Sequence, residues 1–128
     1  MNFRTTLAAF TLLVAPLAAG GAAHAHGSTK PQHGGIVQVT GETMFELVNK
    51  PGGMELYISE HGEEIPSSSA SAKLSIASGG AKKDVSLTPA GGNKYVAKGV
   101  KVPTGSKVTV TLVDNTIKVK TFATFTVK

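Results

Sequence analysis

The sequence predicts an all-β domain, an antiparallel immunoglobulin-like sandwich of about seven or eight strands, behind a cleaved signal peptide. Two observations carry the fold prediction. Short runs of alternating apolar and polar residues recur at a spacing of roughly ten residues, turned by Gly, Pro and Asn. After the opening apolar segment, no stretch carries the 3.6-residue period of an amphipathic helix.

The elements follow in order. Residues 1–25 read as a signal peptide: Arg4 supplies the basic start, an apolar run covers about Leu7 to Ala19, and small residues lead to Ala-x-Ala sites. Pro16 and Gly20-Gly21 interrupt the run, and no basic stop-transfer cluster follows, so no membrane insertion is expected after cleavage. Residues 26–35, rich in His and Gly, read as a flexible polar arm. Residues 36–128 form the sandwich. Its strands are expected at Ile36–Thr40, Thr43–Val48, Met54–Ser59, Ala72–Ala77, Asp84–Thr88, Lys94–Lys98, Lys107–Val113 and Ile117–Val127. The segment Lys50-Pro51-Gly52-Gly53 is a hairpin loop, and residues 61–69 form a longer one. Alternation places Met54, Leu56 and Ile58 inward, against Glu55, Tyr57 and Ser59. Val108, Val110 and Leu112 also face inward. In the last strand Ile117, Val119, Ala123, Phe125 and Val127 share one parity, and the strand is long enough to bend and serve both sheets.

Composition narrows the function. The chain has no cysteine, so disulfides, thiolate metal sites and thiol catalysis are excluded. An exported protein without disulfides suits a bacterial periplasm or exterior. No tryptophan is present and aromatics are few, which argues against stacking on nucleic acids or sugars. Loss of Arg4 with the signal leaves 12 lysines against eight acids. Six of those acids lie within residues 42–64, whereas residues 65–128 hold ten lysines and two acids. Cations are therefore drawn to the N-terminal half. The lysines are scattered and arginine is absent after export, so no nucleic-acid partner is expected. Serines 67, 68, 69 and 71 form a low-complexity loop without a spaced histidine–carboxylate partner, and no nucleophile elbow, phosphate loop or zinc-protease motif occurs. A binding protein is expected, not an enzyme.

All four histidines (24, 26, 33 and 61) lie in that acidic first half. Cleavage after Ala25 leaves His26-Gly27 at the mature terminus, where amine and imidazole together chelate copper. Cleavage after Ala23 places His26 third from the amine, a square-planar arrangement favoured by Cu(II) and Ni(II). Cleavage after Ala22 places His24 second. His33 precedes Gly34-Gly35, which leave its imidazole uncrowded. His61 follows Glu60 and precedes Glu63 and Glu64, and neighbouring carboxylates favour both protons and metal. Folding the arm back would bring His26, His33 and His61 into a three-nitrogen site suited to Cu(II) or Zn(II). Met44, on the opposite parity from Phe45 and Leu47, is a thioether candidate for Cu(I). Met54 belongs with Leu56 and Ile58 in the core. Each histidine also has a plainer reading, as part of a polar tail or an exposed acidic loop.

Several segments carry a resemblance: His33-Gly34-Gly35-Ile36-Val37, Phe45-Glu46-Leu47-Val48, Leu56-Tyr57-Ile58, His61-Gly62-Glu63 and Pro89–Asn93. Together they resemble a group of small exported proteobacterial proteins with a His-containing mature terminus. The His-Gly-Gly segment is also similar to the opening of heavy-metal efflux adaptors, which implies a metal-related periplasmic role. A weaker resemblance is to CopC-like copper-resistance proteins, which are small immunoglobulin-like sandwiches with an N-terminal histidine ligand and an ending similar to Phe125-Thr126-Val127-Lys128. Their second histidine lies near the C-terminal strand, and this chain has none after position 61. The expected function is periplasmic metal binding, copper first and zinc or nickel as alternatives, for buffering, delivery or resistance. The competing expectation is a structural or protein-interaction module, accessory to an efflux system, with incidental histidines.

Overall fold

A computed structural model of the chain describes residues 29–128. The expected signal cleavage sites, His24 and His26 lie outside the described residues. Ten strands form two antiparallel sheets packed as a sandwich. Eight are five residues or longer: β1 Ile36–Thr40, β2 Thr43–Lys50, β3 Gly53–Glu60, β5 Ala70–Ser78, β6 Ala81–Ser86, β8 Lys94–Lys98, β9 Lys107–Asp114 and β10 Lys120–Thr126. The other two, β4 Glu63–Glu64 and β7 Thr88–Pro89, are two-residue pairings at the margins. The first sheet runs β1-β2-β3-β8-β7, with β4 paired to β3, and the second runs β10-β9-β5-β6.

The period-two pattern accounts for the core. Along β5, Ala70, Ala72, Leu74 and Ile76 are buried while the residues between them are not. Phe45, Leu47, Leu56, Ile58 and Tyr95 project from the first sheet to meet Leu74, Val108, Val110 and Phe125 of the second. Tyr95 is fully enclosed, and its hydroxyl donates to the Ala70 carbonyl across the sandwich at 3.4 Å. Such burial pushes its phenol pKa up.

The last strand differs from expectation. It begins at Lys120, not Ile117, and pairs with β9 alone. Asp114 is the cause: its carboxylate accepts the amides of Thr116 and Ile117 at 2.7 and 2.9 Å, which extends the turn. Lys118 then adopts a left-handed conformation, with φ of 59°. Ile117 and Val119 are left exposed, whereas Ala123, Phe125 and Val127 of the same parity are buried. The edge of β1 meets the edge of β10, where the Thr40 hydroxyl donates to the Phe122 carbonyl at 2.7 Å.

Candidate functional site

The outer face of the first sheet does not simply face water. Pairing puts Glu46 between Val37 and Tyr57, and Tyr57 in turn beside Lys94. A glutamate on an outward-facing strand position is ordinarily solvated, yet Glu46 is only 1 % exposed. Residues 32–35 cover it. Its Oε1 accepts the Gln32 amide at 2.9 Å, and its Oε2 accepts the amides of His33 at 2.8 Å and Gly35 at 2.9 Å. His33 Nδ1 completes the set, 3.0 Å from Oε1.

Burial by itself would raise the Glu46 pKa. The amides of Gly35, Gln32 and His33 and the His33 imidazole outweigh it and hold the carboxyl below its usual range. Glu46 is thus ionised near neutral pH and can only accept. The contact therefore requires the proton on His33 Nδ1, which in the neutral ring leaves the lone pair on Nε2. The imidazole lies flat on the Tyr57 ring, with centroids 3.5 Å apart and planes 6° from parallel. The His33 side chain remains 38 % exposed. One face of the ring is packed on Tyr57, one nitrogen is fastened to Glu46, and in the neutral ring the other nitrogen carries the lone pair. Metal-binding histidines are commonly held in this way, with a carboxylate fixing the tautomer and the ring orientation.

The two glycines after His33 have distinct roles. Gly34 turns the chain with φ of 75°. At Gly35 the backbone passes so close to β2 that a Cβ would strike the Leu47 carbonyl and lie 2.8 Å from Val48 Cγ2. Gly35→Ala is expected to lift the arm and cost about 1–3 kcal/mol. Thermal denaturation would show the loss, and the His33 ring signals should move toward those of a free histidine.

Below Tyr57 lies a second polar group. The Tyr57 hydroxyl donates to Glu55 Oε2 at 2.7 Å, and Lys50 and Lys94 pair with the same carboxylate at 2.6 and 3.0 Å. Lys50 first, then Tyr57 and Lys94, overcome the opposing effect of burial and bring Glu55 down to about 2. Burial, the bond to Glu55 and the charges of Glu55 and Glu46 push Tyr57 up to about 12.

The remaining candidates sit elsewhere. His61 occupies the β3–β4 turn with φ of 50° and pairs through Nε2 with Glu42 at 2.8 Å, both side chains being well exposed. Three residues of β3 separate the Tyr57 rung from the Glu60 rung, roughly 10 Å along the strand, so His33 and His61 are held by different partners at different levels. Met44 is half-buried on the same outer face as Glu46, two residues away and roughly 7 Å along the strand. Met54 is in the core. Among the described residues no group of three or more His, Asp or Glu is arranged to hold a metal ion.

Sequence reasoning singled out His33 and missed Glu46, Tyr57 and Glu55. The available signal was parity: Glu46, Glu55 and Tyr57 share the outer face, next to an arm able to cover it. No protein-family model matches the chain, and neither a curated protein nor a solved structure matches it significantly. Among the described residues no helix is long and apolar enough to cross a membrane.

Proposed function

We propose that the protein is a non-enzymatic periplasmic metal-binding protein, with copper as the leading ion, and that it buffers or delivers that ion or contributes to resistance. The observation that supports this reading is the His33 imidazole, fastened by Nδ1 to a buried, ionised Glu46 while its side chain stays 38 % exposed. One imidazole is too few for tight binding. The terminal segment offers the rest: the amine and ring of His26, or His24 with a longer mature chain, lie within a few residues of His33 in sequence. Six residues lie between His26 and His33, enough chain for both to reach one ion. Met44 is a further donor on that face if the ion is Cu(I). His61, exposed and paired with Glu42, is a separate candidate ligand.

A second reading is favoured by the completeness of the Glu46 cluster, where every acceptor is engaged by the arm itself. In that reading His33 serves only to fasten the arm, and the protein is a structural or interaction module accessory to a metal efflux system. Copper titration of the processed chain beginning at His26 separates the two. The metal reading expects one Cu(II) per chain with a Kd below about 1 µM. His33→Ala should weaken it roughly 10- to 100-fold, and His61→Ala should leave it unchanged. Binding no tighter than about micromolar, or unaffected by His33→Ala, would leave only the structural reading.

A further inference from the structure

Four large apolar side chains are exposed among the described residues: Val39, Ile117, Val119 and Phe122. Three of them fall within six residues of the β9–β10 hairpin, interleaved with Lys118 and Lys120. The β-sheet pattern does not require this. Asp114 fixes the turn, and the turn carries Ile117 and Val119 away from the core that their parity would have given them. Residues 114–128 contain three lysines and one acid, Asp114, whose carboxylate is engaged by the turn amides and lies within the field of Lys118.

Hydrogen bonds place this hairpin at the same end of the sandwich as the acidic tips of the first sheet. Thr40, at the end of β1, bonds to Phe122. The Asn115 amide donates to the Ser69 carbonyl at 3.0 Å, and its side chain donates to the Ser68 carbonyl at 3.2 Å. Ser68 and Ser69 belong to the short turn that follows β4. The β1–β2 and β3–β4 tips carry Glu42, Glu60, Glu63 and Glu64. A shallow, mainly apolar cleft lies beside them, lined by Pro66, Ser67, Ser68, Pro89 and Gly91-Gly92 together with Glu64.

One end of the molecule thus carries an apolar, lysine-flanked projection and an apolar, glutamate-rimmed recess. We propose that this end is self-complementary and joins two copies of the chain about a twofold axis. The Ile117–Val119 tip of each copy seats in the Pro66–Pro89 cleft of the other, with Lys118 and Lys120 facing Glu63 and Glu64. A twofold contact satisfies both patches of both copies at once, the usual form of a closed homodimer. The same charges argue against an anionic lipid surface, because four glutamates at that end would face it. A second copy supplies glutamate to the lysines and lysine to the glutamates.

The test is sedimentation velocity of the processed protein across a concentration series, with circular dichroism to confirm that each variant is folded. The wild type should form a dimer that weakens with added salt. Ile117→Ser with Val119→Ser should weaken it by about tenfold or more. Lys118→Glu with Lys120→Glu, and separately Glu63→Lys with Glu64→Lys, should each give monomers. Mixing these two charge-reversed proteins should restore a heterodimer. A wild type that stays monomeric, or a dimer indifferent to all three variants, overturns the proposal. So does a monomer that sediments with phosphatidylglycerol vesicles and loses that binding in the Ile117/Val119 variant, which would assign the hairpin to a lipid surface.

Discussion

Replacing Glu46 with alanine is expected to unfasten the arm and lower stability by about 2–4 kcal/mol. The carboxylate takes four donors, three of them backbone amides, and no other acceptor of the described residues is recorded for them. Water can reach some of these donors once the arm lifts, so the cost falls well short of the sum of four charge-assisted bonds. For a domain of this size the change corresponds to a fall in Tm on the order of 10–25 °C. Glu46→Gln should cost nearly as much, because its amide nitrogen would meet donors where an acceptor is required. Glu42→Gln, at an exposed hairpin tip, should stay within about 0.5 kcal/mol of wild type. Hydrogen exchange gives the sharper readout: the amides of Gln32, His33 and Gly35 should lose protection in Glu46→Ala while those of β9 keep theirs. Equal protection of the three arm amides in variant and wild type would show that Glu46 does not hold the arm. Copper affinity, if it depends on an oriented His33, should fall in the same variant.

Acidification is expected to weaken the fold mainly through Glu55. Its carboxyl ordinarily titrates near 4.5 and is held at about 2 by Lys50, Tyr57 and Lys94. A depressed carboxylate adds stability that is fully present above its unfolded value. That stability is lost as the pH falls from about 4.5 toward and through 2. The contribution is roughly 2–3 kcal/mol, reduced from the full shift because both lysines reach water. Glu46, also depressed, adds to the loss in the same direction. Urea midpoints measured from about pH 7 to pH 2 should decline through this window. Glu55→Gln should start lower at neutral pH and show a flatter decline. Parallel profiles for the two proteins would assign the acid sensitivity to other groups.

The fold was legible because burial along a strand repeats every two residues. Met54, Leu56 and Ile58 share the interior, as do Val108, Val110 and Leu112, and the alternation says so without further help. Where the alternation misled, a local hydrogen bond overruled it. Ile117 and Val119 have strand parity, but Asp114 draws the following amides into a turn. The Asp-Asn-Thr segment holds that information, because an aspartate accepts the amides two and three residues on. The candidate site was less legible. His33 stood out as a histidine before two glycines, yet its orientation depends on a glutamate thirteen residues later and a tyrosine on the next strand. Parity assigns Glu46 and Tyr57 to the outer face and cannot say that the arm folds over that face. That fact arises from tertiary contact: Gly35 allows the close approach and Glu46 supplies the acceptors. His61 stood out through its acidic neighbours in sequence, whereas its contact with Glu42 comes from the hairpin pairing that brings the two tips together.

The stacking of Tyr57 on His33 gives the protein a built-in optical reporter. The chain has no tryptophan and only two tyrosines, one on the candidate ligand and one sealed in the core. Intrinsic emission therefore comes from one phenol on the outer face at the site and one on the inner face of the same sheet, a single rung away. A paramagnetic ion on His33 Nε2 would sit within a ring's breadth of Tyr57 and quench that phenol by contact. Tyr95, one rung away on the inner face, would be quenched less. A Tyr57→Phe protein should then dim by a smaller fraction than the wild type through a copper titration.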